Sequence, residues 1–423
     1  MSLTFDCLFK TIDPVVASAL DRALSDKDVS AEQAVDLLDS NGIEMNMVVL
    51  VADELRRRAV GNTVTYVINR NINFTNVCIK RCGFCAFSRD FREKEGYFLP
   101  IEEIVRRAKE ASRLGATEIC IQAGLPPKMN GHLYIDICSA IKKELPDIHI
   151  HAFSPEEVLY GAVRSEVSVE EYLKMLKEAG VGSLPGTAAE ILDQPMRDLI
   201  SPGRITVEDW IRIIKLAHSM GIPTTSTIMY GHIESSAHKA NHLELIRKIQ
   251  SETRGFTEFV PLSFVHTEAP MYNHNIVSKV RSGASGNEVM KMHAVSRIIL
   301  HGYIKNIQVS WVKEGTRMSQ ILLGAGANDF GGTLINESIS TAAGSQYGQL
   351  LKPRQIRSII RSCDRLPVQR STTYRLIKQY SDQEEECDQP EELDKADTAQ
   401  FSSYHELIKL DKFRYSEREK LQL

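Results

Sequence analysis

From about residue 62 the chain alternates between short apolar, β-branched runs and longer amphipathic ones, and no other feature restricts its fold as strongly. The strand candidates are 64–77, 118–124, 148–154, 183–187, 223–231, 258–264, 304–311 and 327–333. Helical spacing of apolar residues fills the gaps, as in 100–114, 169–179 and 207–220, and Gly115, Gly180, Gly221 and Gly302 stand where helix C-termini prefer glycine. Strands separated by helices must pair in parallel, because a crossover helix returns the chain to the same end of the sheet. Eight such strands close most economically into a barrel, with an open doubly wound sheet as the alternative. The expected fold class is therefore α/β, a (β/α)8 barrel of the TIM type over residues 61–375. An N-terminal helical segment over 1–60 precedes it, and an acidic, flexible, solvated tail over 376–423 ends the chain. Between Asp382 and Asp397 nine acidic residues face one lysine, while the stretch 404–423 has a helical texture that could dock.

Composition narrows the class. At 423 residues and 43% hydrophobic the chain has ample material for one barrel-sized core. A net charge of −4 gives no electrostatic reason to expect nucleic acid or an anionic membrane as partner. The first residues lack a basic stretch followed by an apolar one, and no run of 18 apolar residues occurs, so neither a secretory signal nor a membrane span is expected. Cytoplasm is the expected compartment. Eight cysteines in such a chain read as reduced thiols or metal ligands rather than disulfides.

Three of those cysteines lie within eight residues, Cys78, Cys82 and Cys85, at the end of the first strand candidate. Thiolates suit iron–sulfur clusters and zinc, and the ligand number separates the two: a structural zinc wants four ligands, whereas a cubane held by three leaves one iron open. No second Cys-x-x-Cys occurs downstream, so a non-catalytic zinc site would have to borrow a distant histidine. Cys7, Cys120, Cys138, Cys363 and Cys387 are scattered, as core or surface thiols are. His238 and His242 have the i, i+4 spacing of a helical zinc site but lack the glutamate that comes after the first histidine in that motif. His293, Trp210 and Trp311 read as packing residues. His151, Ser154, Glu156, Thr187, Glu190, Tyr230, His232, His266, Asn328 and Asp329 fall at or beyond the C-terminal ends of strand candidates, the functional face of a barrel.

The Cys-x3-Cys-x2-Cys spacing, with Phe84 before the last cysteine, resembles the radical S-adenosylmethionine superfamily signature. The resemblance implies that Cys78, Cys82 and Cys85 hold one 4Fe-4S cluster and that its open iron chelates S-adenosylmethionine. Phe84, Gln122, Gly124, Ser154, Glu156 and Thr187 would then lie around that cofactor. The segments 71–78 (NINFTNVC), 151–155 (HAFSP), 185–190 (PGTAAE), 227–232 (TIMYGH), 259–266 (FVPLSFVH) and 327–333 (ANDFGGT) resemble the CofH-type subunits of deazaflavin synthase. That likeness implies L-tyrosine and 5-amino-6-(D-ribitylamino)uracil as substrates, with 4-hydroxybenzyl transfer after cleavage at Cα–Cβ. It also implies a CofG-type partner subunit and a reductant protein. Glu190, Tyr230, His232 and His266 are the catalytic candidates on this reading. The related futalosine-pathway enzymes of menaquinone synthesis are the competing family, and the form of 185–190 favours the deazaflavin side.

Overall fold

The computed structural model describes residues 5–380 and 389–415. Four helices open the chain, Phe5–Phe9, Pro14–Leu24, Ala31–Asp39 and Gly42–Val60. Side chains of Asp13 and Ser30 accept the first free amides of the second and third, so each start is fixed by its own sequence. The fourth buries Val48, Val51, Ala52 and Leu55 against the helix Gly286–Ile299, and Ala31–Asp39 packs on Ser236–Thr253. The N-terminal helices thus cover one flank of the strand–helix region.

That region is built on a ring of parallel staves. The first is β1 (Thr63–Val67), continued by β2 (Asn69–Ile72). Next come β3 (Glu118–Ile121), β4 (His149–His151), β5 (Val181–Ser183), β6 (Thr224–Tyr230), β7 (Phe256–Ser263) and β8 (Asp329–Gly332). β2, β3, β4 and β5 pair in that order, and β6 pairs with β7. Parallel bridges Leu184–Thr224, Phe259–Ile307 and Gln308–Asp329 join the pieces, and β8 returns to β1 with Thr65 opposite Asp329. The first strand meets the last, so the sheet is closed rather than open.

Several expected boundaries move. The expected strand 304–311 pairs only at Ile307 and Gln308, and Trp311 already begins the helix Trp311–Leu323. The first candidate stops pairing as a stave at Ile72, since residues 73–77 leave it for a loop. Two strands lie outside the expected set. β9 (Leu366–Arg370) lies parallel to β1, and β10 (Leu376–Gln379) folds back on β9. Tyr374, in their turn, donates its hydroxyl hydrogen to Glu258, and the Arg370 guanidinium lies 4.1 Å over its ring. This hairpin plugs the ring near the N-terminal ends of the staves.

The helices between staves are amphipathic for a visible reason. In Ile101–Arg113 the buried Ile104, Ala108 and Ala111 recur at helical spacing, with Glu102 and Glu103 early and Arg113 late. Gly115, at φ 90°, then turns the chain into β3 in a conformation that a side chain would strain.

The tail departs from expectation most. Residues 389–415 expose most side chains yet anchor on the barrel through the buried Leu393, Tyr404, Leu407 and Phe413, while the acidic positions 382–388 lie outside the described residues. Glu391 meets Arg357 at 3.1 Å, so an acidic stretch that reads as repulsive is drawn onto a buried cation. The Phe98 amide donates to the Phe413 carbonyl at 2.8 Å, and Tyr404 lies 5.5 Å from Phe87. The chain end therefore straps across the segment that comes after the cysteines. Within 404–423 the described α-helix covers only Tyr404–Leu407; Cys387 and positions 416–423 fall outside the described residues. No helix among the described residues is long and apolar enough to cross a membrane.

Candidate active site

The period of a strand builds the site. Val67, Asn69, Asn71 and Asn73 on the first stave, Glu118, Cys120 and Gln122 on the second, Thr225, Thr227 and Met229 on the fifth, and Glu258, Val260, Leu262 and Phe264 on the sixth all line one cavity. These are every second residue, the set that points inward. The cavity holds about 420 Å³ and sets polar side chains among apolar ones. Asn71 and Asn73 each keep a buried Oδ1 that no protein donor satisfies, which points to a ligand supplying one.

At the end of the first stave the three cysteines share this cavity. Their loop is fixed by its own backbone. Cys78 donates its amide to Arg89 at 3.0 Å, Gly83 donates to Ile200 at 2.8 Å, and Met271 donates back to Gly83 at 2.7 Å. Gly124 lies against the Val77 carbonyl so closely that a Cβ would collide with it, which brings the strand after β3 up to the loop. Burial pushes the Cys82 thiol up to about 12, opposed by the nearby Arg204 guanidinium, and burial raises Cys78 in the same way. Among the described residues no three His, Cys, Asp or Glu side chains converge as a single ion would require. Three sulfurs without a fourth protein ligand suit a thiolate-held iron–sulfur cluster better than four-coordinate zinc.

Arg204 organises the wall beside them. Its guanidinium reaches Glu156 at 3.3 Å, Glu190 at 3.1 Å and the Cys82 sulfur at 3.5 Å, and lies 5.9 Å over the Phe84 ring. Glu156 also accepts from the Ile205 amide at 2.7 Å and pairs with Lys80 at 3.1 Å, and its carboxyl is held below the usual range. Glu190 pairs with Arg197 at 3.0 Å as well. Ser154 closes a capping box with Glu157, which also accepts the Ala123 amide, and burial raises Glu157 to about 7. Thr187 donates to Gln122 at 3.4 Å across the cavity wall.

All the sequence candidates Phe84, Gln122, Gly124, His151, Ser154, Glu156, Thr187 and Glu190 therefore reach the cavity. Others do not. Tyr230 comes after Met229, which faces inward, so the strand period turns Tyr230 to the outer face, where it is buried. His232 is buried against Glu234 and the Met229 carbonyl, and His266 packs edge-on to Tyr272 at 4.7 Å. Asn328 ties Arg297 to the Ile307 amide, and Asp329 holds Arg370 at 2.6 and 2.9 Å, so both fasten the barrel rather than line it. The His238–His242 pair divides: His238 caps its helix, while His242 is buried, donating to the Thr227 carbonyl and accepting the Leu192 amide.

Sequence reasoning missed Arg204, Lys313, Glu118, Glu258, Arg370 and the alternating Asn69, Asn71 and Asn73. Only the asparagines carried a signal, since their period of two within an apolar strand marks an inward face. Arg204 sits in an irregular loop, where spacing says nothing about direction.

The superfamily model described as "Radical SAM superfamily" matches residues 72–246, and that of the "CofH/MqnC C-terminal region" matches 253–383. The chain is 50% identical over 356 residues to the 5-amino-6-(D-ribitylamino)uracil–L-tyrosine 4-hydroxyphenyl transferase of Methanocaldococcus jannaschii, covering 84% of this chain and 98% of that one. The enzyme of the same name from Methanothermobacter thermautotrophicus is 46% identical, over 84% and 95%. That from Archaeoglobus fulgidus is 49% identical, over 77% and 92%. Among solved structures, methylornithine synthase superposes with a TM-score of 0.61 at 17% identity, over 82% of this chain and 95% of that one. The FeFe-hydrogenase maturase HydG from Carboxydothermus hydrogenoformans gives 0.66 at 16%, over 88% and 83%. These two show likeness of fold.

Proposed function

The chain belongs to the radical SAM superfamily and, within it, to the 5-amino-6-(D-ribitylamino)uracil–L-tyrosine 4-hydroxyphenyl transferases, and on that premise we propose how its cavity serves the reaction. The protein is a radical SAM transferase. It takes the 4-hydroxybenzyl group from L-tyrosine, by cleavage at Cα–Cβ, and joins it to the ribitylaminouracil in deazaflavin synthesis. The observation that carries the site assignment is the opening of three neighbouring thiols into one barrel cavity that also gathers Glu156, Glu190 and Arg204.

On this proposal Cys78, Cys82 and Cys85 hold the 4Fe-4S cluster. When bound, the cluster and S-adenosylmethionine supply the carbon radical that removes a hydrogen atom from the amino acid. The protein's part is to place and enclose. Glu156 and Glu190, oriented by Arg204, present carboxylate lone pairs to ammonium and hydroxyl groups, and Phe84 offers a ring face to the adenine. Ser154, Thr187, Gln122 and Gly124 line the same side. Deeper in, Asn69, Asn71, Asn73, Glu118 and His151 make a row of donors and acceptors that suits the polyhydroxyl chain of the pyrimidine. The hairpin plug around Tyr374 and Arg370 keeps water from entering at the far end, as radical chemistry requires. A partner subunit of the CofG type for ring closure, a protein reductant and a cytoplasmic location complete the proposal.

The test is anaerobic turnover of the iron- and sulfide-reconstituted protein with dithionite, S-adenosylmethionine, L-tyrosine and the ribitylaminouracil. Tyrosine-dependent product carrying the hydroxybenzyl group, by mass spectrometry, is the expected outcome. Alanine at Cys78, Cys82 or Cys85 abolishes both iron binding and 5′-deoxyadenosine formation. A cysteine variant that retained both would remove that residue from the cluster.

A further inference from the structure

Four cationic side chains line the cavity, Lys80, Arg204, Lys313 and Arg370. Three have carboxylate partners at contact distance: Lys80 with Glu156 at 3.1 Å, Arg204 with Glu156 and Glu190, and Arg370 with Asp329 at 2.6 Å. Lys313 differs. Among the described residues its ammonium makes no hydrogen bond and no ion pair at contact distance. Two carboxylates, Glu337 and Glu314, act on it only from beyond contact distance. Glu337 accepts the Ile339 and Ser340 amides at 3.1 and 3.0 Å, and Glu314 accepts from Ser263. Lys313 stands in the first turn of the helix Trp311–Leu323, just beyond the seventh stave, on the rim that also carries the cysteine loop. A cation drawn into a cavity with no carboxylate at contact distance is costly unless a ligand supplies one.

The substrates pose the complementary question. The pyrimidine is a neutral polyol, whereas L-tyrosine brings one permanent anion, its carboxylate, into the cavity. We propose that Lys313 holds the carboxylate of the amino-acid substrate. This assignment rests on the transferase reading above and deepens it. The ammonium fixes Cα by its carboxylate and leaves the amino group free for hydrogen removal, and the aromatic ring extends toward the inward-facing Val260, Leu262 and Phe264.

The experiment compares L-tyrosine with tyramine, which lacks only the carboxylate, by equilibrium dialysis against reconstituted protein with S-adenosylmethionine and no reductant. The native protein prefers tyrosine by about ten- to a hundredfold, the usual worth of a charge-assisted pair. Lys313→Met loses that preference while binding tyramine as before. Lys313→Arg keeps most of it, which guards against a misfolded first variant. In turnover, Lys313→Met raises KM for tyrosine and leaves KM for the pyrimidine unmoved. Three results overturn the assignment: preference retained in Lys313→Met, both ligands weakened equally, or S-adenosylmethionine binding lost in place of the preference. A native protein that forms no hydroxybenzyl product would instead overturn the transferase reading itself, so the two failures are distinguishable.

Discussion

Glu156 and Glu190 face the same guanidinium, and both are buried. Removing Arg204 leaves each with one other cation, Lys80 or Arg197, but strips the only positive group among the described residues that hydrogen-bonds the Cys82 sulfur. Breaking a buried ion pair from one side costs about 3 kcal/mol. Arg204→Met is accordingly expected to lower the unfolding free energy of the metal-free chain by roughly that amount in urea titrations. A pair whose cation is exposed, such as Arg106–Glu103, tested as Arg106→Met, moves it by less than about 1 kcal/mol. The same contrast explains which single residues are legible in the sequence. The cysteines announce themselves because their spacing is local and their chemistry rare. Arg204 and Lys313 do not, because their meaning lies in which partners the fold brings or withholds. Tyr230 shows the reverse error, a residue of suitable chemistry one position out of phase with its strand.

Among the elements, the alternation of strands and helices is legible because each stave and each covering helix carries its own period. The seventh stave differs in extent, since Ile304–Trp311 has strand-like composition but only two residues that pair. β9 and β10 give no such signal because they lie past the eighth stave, where a barrel needs no further strand. The strap defies its composition for a physical reason: acidic density predicts solvation only where no cation waits beneath, and Arg357 does wait. Its contacts with the loop after the cysteines run through Tyr404, Phe413, Arg414 and Tyr415. Tyr404→Ala, a truncation worth about 3 kcal/mol for a buried aromatic, is expected to release the strap before the barrel. Hydrogen exchange reads this as lost protection over 404–415 and at the Phe98 amide, with β6 and β7 amides unchanged.

Across the whole molecule a subset of the histidines is held inside, while His132, His274 and His405 stay exposed. Burial lowers His151, His218 and His293 from 6.5 to about 4, and His242 to about 3. The unfolded chain takes up protons on these groups near pH 6.5, whereas the folded chain resists until far lower pH. Stability they contribute is therefore full above 6.5 and is lost as pH falls toward 4. Glu157, raised from 4.5 to about 7, works in the opposite direction over much of the same window. Glu258, also raised to about 7, and Glu314 and Glu337, raised by burial, act as Glu157 does, while His149 and His232 are lowered as the other four are. Six lowered histidines against four raised carboxylates leave the histidines in the majority, and the urea midpoint is expected to drop between pH 6.5 and 4. His242→Gln makes that slope shallower; an unchanged slope would assign the acid lability to other groups.

Ring closure also sets a schedule. Thr65 meets Asp329 across 264 residues of chain, so the strand bearing the cysteine loop is synthesised long before its last neighbour. At the pace of translation that interval is roughly 10–50 s. For that time the three thiols of each nascent chain sit on a barrel still open on one side, exposed to whatever oxidants and metal ions the surroundings hold. Oxygen sensitivity during production of this protein is thus a property of its topology as well as of its cofactor.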